Sequence, residues 1–253
     1  MNKDETEVEK LPTIKIFFEA LTLPKKHFLT LLRFGSPLLI LITILEIYTR
    51  LFIKIEELSV LATFTVYVVV IIALALAVIG AHRAFLLDEF DVRSTKIIRW
   101  EGRELRYIGW WIAIVFCISI ATIPFLFLPL FPYMNQTLFE NVYVVLALIL
   151  FANIPICYFI SRGSLLLPVI AIDQNMNLSH AWTLSRGNGW RLTLLISVFP
   201  FLTSLAFEFL PDFDSILYSI LVGTVWLIVG VIEIGLLSLS YSYLSRSSSD
   251  AAD

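Results

Sequence analysis

Leu58-SVLATFTVYVVVIIALALAVI-Gly80 runs for 23 residues without a charged side chain. A helix of that length covers about 35 Å, enough to cross about 30 Å of hydrocarbon. Inside lipid every backbone N–H and C=O must be satisfied within the segment, so an unbroken apolar run of this length predicts a membrane-crossing helix. The composition extends the reading to the whole chain. Of 253 residues, 58% are hydrophobic and 15% charged, with mean hydropathy +0.87. Soluble domains carry about 25% charge. A soluble fold of this size has no place to hide so much apolar surface.

Five more apolar runs flank the first: Ser36–Phe52, Ile108–Phe131, Asn141–Ile160, Leu192–Phe207 and Ser215–Leu239. The expected fold is an all-α membrane protein with six transmembrane helices in three hairpins, and with amphipathic helices along the cytoplasmic face. Residues 1–11 read as a disordered charged tail, 12–245 as one six-helix transmembrane domain, and 246–253 as a second disordered tail. The acidic start MNKDETEVEK is no signal peptide, so the first apolar segment is expected to direct insertion. Ile14, Phe17, Phe18 and Leu21 fall at i, i+3, i+4 and i+7, opposite Lys15, Glu19 and Thr22. That pattern predicts an interfacial helix, ended by Pro24, with Lys25 and Lys26 reaching headgroups from the next element. Ser36 is the expected N-cap of the first span, with Pro37 at its first helical position.

Charge sets orientation. Sixteen of the 18 Lys and Arg residues lie on the side that six spans assign to both termini; Arg50 and Lys54 are the other two. Both termini are therefore expected to be cytoplasmic. A net charge of −3 and no basic stripe argue against a nucleic-acid partner. Cys117 and Cys157 lie inside apolar runs and read as small hydrophobes, not as a disulfide or a metal site. An Arg stands where each hairpin begins (Arg33, Arg106, Arg191), and the runs His82–Leu87 and Ser161–Leu166 match at two hairpin ends. Those parallels suggest a triplicated hairpin.

The longest polar interruption of the C-terminal half is Ser161–Leu192, SRGSLLLPVIAIDQNMNLSHAWTLSRGNGWRL. Arg162, Pro168, Asp173, Ala181, Trp182, Arg186, Gly187, Asn188, Trp190 and Arg191 give it a pattern. It resembles the membrane domain attached to some bacterial glycerophosphoryl diester phosphodiesterases, and related free-standing membrane proteins. The resemblance implies a polytopic protein of the bacterial inner membrane and implies no reaction, since the phosphodiesterase activity of that family sits in a separate soluble domain. Read from its residues alone, the stretch has Leu178, Ala181 and Trp182 as a short apolar stripe. Gly187 suits a helix C-terminus, and Asn188 or Gly189 can take a positive φ. Arg162, Arg186 and Arg191, with Trp182 and Trp190, form a candidate lipid-headgroup or phosphate contact. The plainer reading, which we take first, is an elbow that anchors the fifth span.

Charge inside a span is the usual pointer to function. Glu46 has Arg50 four residues on, an arrangement that allows a local ion pair. Glu233 has no such neighbour. Asn153 lies two residues before Pro155, and Pro124 and Pro200 also interrupt spans, the pattern of transporter midplane sites. Glu233, Asn153 and Glu46 are thus the candidate intramembrane polar site. The histidines, His27, His82 and His180, have no metal-ligand spacing, and no nucleophile or phosphate-loop motif occurs. No catalytic residue, metal or cofactor is expected. The leading expectation is a non-enzymatic accessory or scaffold that contacts membrane lipids or a membrane-protein partner. The alternative is a small transporter or lipid-handling permease.

Overall fold

The computed structural model describes residues 9–51, 59–96, 100–127, 142–210 and 216–250. Every regular element among them is helical: α1 (Thr13–Lys26), α2 (Phe28–Leu51), α3 (Val60–Leu86), α4 (Glu89–Ser94), α5 (Gly102–Phe127), α6 (Val142–Gly163), α7 (Leu166–Ala171), α8 (Leu178–Leu184), α9 (Gly189–Thr193), a π turn (Leu194–Val198), α10 (Phe199–Glu208) and α11 (Ile216–Asp250). Five segments are long and apolar enough to cross a membrane: Phe28–Leu45, Val60–Leu86, Asn153–Ala171, Gly189–Glu208 and Ile220–Ser248. The chain is therefore organised as a multi-pass membrane protein. The expected third span falls on α5, whose described helix stops at Phe127. Its expected end at Phe131, with Pro129 and Pro132, lies outside the described residues, as do residues 1–8, Lys54, Asn141 and 251–253. The side chains of Glu46, Arg50 and Pro124 also lie outside the description.

Several boundaries differ from the sequence reading, each for a local reason. Helix α2 begins eight residues before the expected N-cap, at Phe28, and Pro37 sits inside it. Proline there leaves the carbonyl of Arg33, four residues back, without its backbone donor. Ser36 Oγ donates to that carbonyl at 3.0 Å, so the serine repairs the helix and does not cap it. Pro24 likewise lies within α1, which continues to Lys26; Lys25 and Lys26 form its last turn, where cations suit the helix dipole. The expected disordered tail from Arg246 is instead the end of α11, helical to Asp250. At 35 residues α11 is about 52 Å long, well beyond a bilayer's apolar thickness. In the N-terminal tail, Leu11 is 1% exposed, not a solvated residue.

The packed core sits at one end of the bundle. Leu11, Ile16 and Ala20 from the N-terminal arm and α1 join Ile79 of α3, Tyr107 of α5, the run 165–171, and Leu236, Tyr241 and Leu244 of α11. Three polar side chains cross this core. His82 Nδ1 meets Ser238 Oγ at 2.7 Å, and His82 Nε2 meets Tyr107 Oη at 3.2 Å. Ser238 donates its single hydroxyl proton to the Ile234 carbonyl at 2.8 Å. That leaves Ser238 Oγ to accept from Nδ1–H, so Nε2 accepts from Tyr107. The chain of bonds ties α3, α5 and α11 together.

Toward the other end, the described residues are more exposed. Residues 115–120 of α5 and 223–228 of α11 are all exposed. Within the second stretch Trp226 stacks on Phe207 of α10, 5.1 Å between centroids. Helix α10 has no buried residue at all. Helices α2 and α3 pack along one another. Their contact depends on Gly80: a Cβ there would lie 2.4–2.8 Å from Phe34 Cγ, Cβ and Cδ1. Gly80→Ala is expected to destabilise the protein by about 1–3 kcal/mol through overpacking. Thermal unfolding of the purified variant in detergent checks this, and Phe34→Leu in the same chain should restore part of the loss.

Candidate functional site

The stretch 161–192 folds into a layer of short helices at the packed end. Helix α6 ends in Arg162 and Gly163. Helix α8 starts at an N-cap, Asn177, whose side chain accepts from His180 N at 2.8 Å. After α8 the chain reverses at Gly187, with φ 76°, a value that costs glycine nothing. Asn188 does not take the positive φ; its own is −115°. Gly189 is needed for a different reason: a Cβ there would sit 2.5–2.7 Å from the Tyr158 ring. So α9 can lie directly against α6.

The three arginines of this layer do not converge on one ligand. Arg162 is 6% exposed. Its Nε donates to Ser185 Oγ at 2.7 Å, Nη1 to Tyr158 Oη at 3.2 Å, and Nη2 to the Trp182 carbonyl. Its guanidinium carbon lies 3.6 Å from the centroid of the Trp182 ring. Trp182 in turn stacks on Phe159, 5.2 Å between centroids. Arg186 is exposed. Arg191 donates to the Leu11 carbonyl at 2.9 Å. Trp190 is 63% exposed and leans on Tyr158, 4.9 Å between centroids. The geometry makes Arg162 an internal fastener of α6 to α8, and leaves Arg186 and Trp190 as the outward-facing members.

Sequence reasoning missed what Asn188 does. Its side chain is 1% exposed and reads the backbone of the N-terminal arm from both ends of the amide. Oδ1 accepts from Leu11 N at 2.7 Å, and Nδ2 donates to the Glu9 carbonyl at 3.0 Å. With Arg191 on the Leu11 carbonyl, three bonds hold an extended segment by its main chain alone. Glu9 adds a fourth hold through its side chain, which accepts from Tyr243 Oη of α11. The hydroxyls of Tyr243 and then Ser247 keep the Glu9 carboxyl below the ordinary carboxylate range. A lowered value means the contact is intact above the usual glutamate pKa and is lost as pH falls through the lower, folded-state value. Asn188→Ala removes one bond to the buried Leu11 N–H and one to the partly buried Glu9 carbonyl, and is expected to cost about 2 kcal/mol. Limited proteolysis checks it: cleavage ahead of Thr13 should become faster while the transmembrane part stays intact.

A second polar cluster joins α2, α3, α4, α5 and the turn after α7. Asp173, at φ 62°, receives Arg83 at 2.9 Å and Arg103 at 2.7 Å, both on Oδ2. Arg83 also donates to the Ala171 carbonyl at 3.0 Å and to Thr95 Oγ1 at 3.3 Å. Arg33 donates to the Thr95 carbonyl at 2.8 Å, and Arg106 to Asn175 Oδ1 at 3.0 Å. Glu104, 1% exposed, accepts from Arg103 Nε at 2.9 Å and from the backbone N–H of Glu101 at 2.6 Å. The last contact is the N3-to-N-cap half of a capping box. Asp173 and Glu104 hold Arg83 and Arg103, while neutral oxygens of Thr95 and Asn175 hold Arg33 and Arg106, so the cluster works as a brace.

Of the intramembrane candidates, Glu233 meets Thr203 of α10 at 3.4 Å. Thr203 also bonds the Pro200 carbonyl at 2.9 Å. The neighbouring π turn has a cause: Pro200 brings no N–H, and the Phe199 N–H closes on the Leu194 carbonyl, five residues back. Asn153 is half-buried in α6 and is not joined to Glu233 by any described bond. Among the described residues no group of His, Cys, Asp and Glu could hold a metal ion. No protein-family model, curated protein or solved structure matches this chain.

Proposed function

We propose that this chain is a six-span protein of the bacterial inner membrane that works by contact, as a non-enzymatic accessory to a membrane partner or to lipids. Helix α5 supplies the sixth crossing. Both ends of the chain belong on the cytoplasmic side: the arm at Glu9 and α11 at Tyr243 touch, as an even number of crossings requires, and that side carries most of the Lys and Arg residues. The likeness of the 162–191 motif to a membrane domain of unassigned role agrees with this and adds no reaction.

The observation that carries the contact reading is the exposed apolar surface of α5 and α11. Among the described residues, large apolar side chains of α5 and α11 are exposed, Ile112 and Phe116 on the first and Ile220 and Leu221 on the second. Such surfaces are filled by acyl chains or by helices of another protein. In-membrane crosslinking followed by purification and mass spectrometry tests it. A stoichiometric partner or a retained lipid supports the reading. A chain that comes out bare, and alone moves a solute across liposomes, overturns it.

One observation favours the second reading, a small transporter or lipid-handling permease. Glu233 and Thr203 meet beside the π turn, where the helix has lost its regular ladder. On that reading Glu233→Gln abolishes a pH-dependent flux in liposomes without lowering the yield of folded protein.

A further inference from the structure

Helix α1 has more faces than its sequence suggests. Ile16, Ala20 and Leu23 are buried. They pack toward α11, where Gly235 leaves room: a Cβ there would lie 2.7 Å from Leu23 Cδ1 and 3.7 Å from Ala20 Cβ. Phe17 is half-buried against Phe199, 5.3 Å between centroids. Ile14, Phe18 and Leu21 share a different strip, about 60° wide by helical geometry. They are 74%, 62% and 42% exposed. Lys15, Glu19, Thr22 and Lys26 form a third strip, about 100° further round, and all four are exposed.

A helix with one face on protein, one bare apolar ridge and one polar strip between them is shaped for the rim of a bundle. The next element begins with exposed apolar side chains too: Phe28, Leu29 and Leu32 of α2 are 60%, 78% and 45% exposed. They open a candidate span, Phe28–Leu45, so the chain leaves α1 directly into a segment suited to hydrocarbon. Charge favours one kind of lipid. Lys15 and Lys26 stand on the strip beside the ridge and Lys25 ends the ridge itself, against a single carboxylate of this helix, Glu19. The arm ahead of α1 is fastened by Asn188 and Arg191, which sets the height at which the helix lies.

We propose that α1 is a docking strap for the anionic phospholipid leaflet, with Ile14, Phe18 and Leu21 among the upper acyl carbons and Lys15, Lys25 and Lys26 at the phosphates. It deepens the contact reading by naming one partner and the surface that meets it. The probe is an environment-sensitive fluorophore on single cysteines at positions 14, 18, 21, 19 and 22, in the full chain with Cys117→Ala and Cys157→Ala, placed in nanodiscs. Lipid-borne nitroxide should quench labels at 14, 18 and 21 severalfold more than those at 19 and 22; a water-soluble quencher should give the reverse order. Quenching at the ridge should rise when anionic lipid replaces neutral lipid, and the combined variant Lys15→Gln, Lys25→Gln, Lys26→Gln should lose that rise. Aqueous quenching of all five positions overturns the proposal, and so does a ridge reached by neither quencher, the mark of a protein partner or second copy. An equal response to neutral and anionic lipid overturns it too. These labels report on lipid whether or not a protein co-purifies, so failure here and failure of the contact reading are separate results.

Discussion

Glu104→Ala should lower the unfolding free energy by about 3–5 kcal/mol, the usual cost of leaving a buried charge without its partner. The carboxylate is 1% exposed and faces Arg103, 6% exposed, across a short fork. Truncation also strips the acceptor from the N-cap amide of α5 and removes a negative charge from a helix N-terminus. Arg103 keeps Asp173, whose side chain is 49% exposed, so the lower part of the range is expected. A double variant, Arg103→Met with Glu104→Met, should recover most of the loss, because apolar replacements of a buried pair are often near neutral. Equilibrium unfolding in mixed micelles measures both. A single variant within about 1 kcal/mol of the parent, against the range expected of a buried pair, would show that the pair is hydrated in solution.

Arg162→Ala is expected to cost about 3 kcal/mol, from charge-assisted hydrogen bonds and a desolvated stack on Trp182. Arg162→Lys should recover little, because one ammonium cannot meet Ser185, Tyr158 and the Trp182 carbonyl in the plane a guanidinium provides. The same pair of variants separates the two readings of this residue. As a fastener, its loss lowers thermal stability and leaves anionic-lipid retention unchanged in the folded fraction. As a headgroup contact, its loss lowers lipid retention at unchanged stability. Arg186, exposed on the same layer, serves as the reference, since its removal should not alter stability.

Parts of this structure were legible because they depend on composition and period. The apolar runs named six crossings, and five of the corresponding helices are long and apolar enough to cross a membrane, since hydrocarbon length sets a minimum that is read by counting. The 3.6-residue period named α1. Its boundaries were less legible: prolines at 24 and 37 are helix breakers in water, yet a membrane helix can carry them when a neighbour such as Ser36 satisfies the carbonyl they orphan. The arginines of the 161–192 stretch stand out by residue type. Their partners are not legible locally, because an Arg at a membrane edge and an Arg folded back onto a carbonyl have the same local sequence.

By itself, the sequence determined that lipid is the solvent for most of this chain and that helices are its elements, because both follow from hydrophobicity summed over about 20 neighbouring residues. Tertiary structure alone decided which polar groups are partners. Asn188 and Leu11 stand 177 positions apart, and His82 and Ser238 156 apart. A buried polar atom accepts any donor that packing delivers to it. Which donor arrives is set by how α1, α3, α9 and α11 stack, and no local spacing records that.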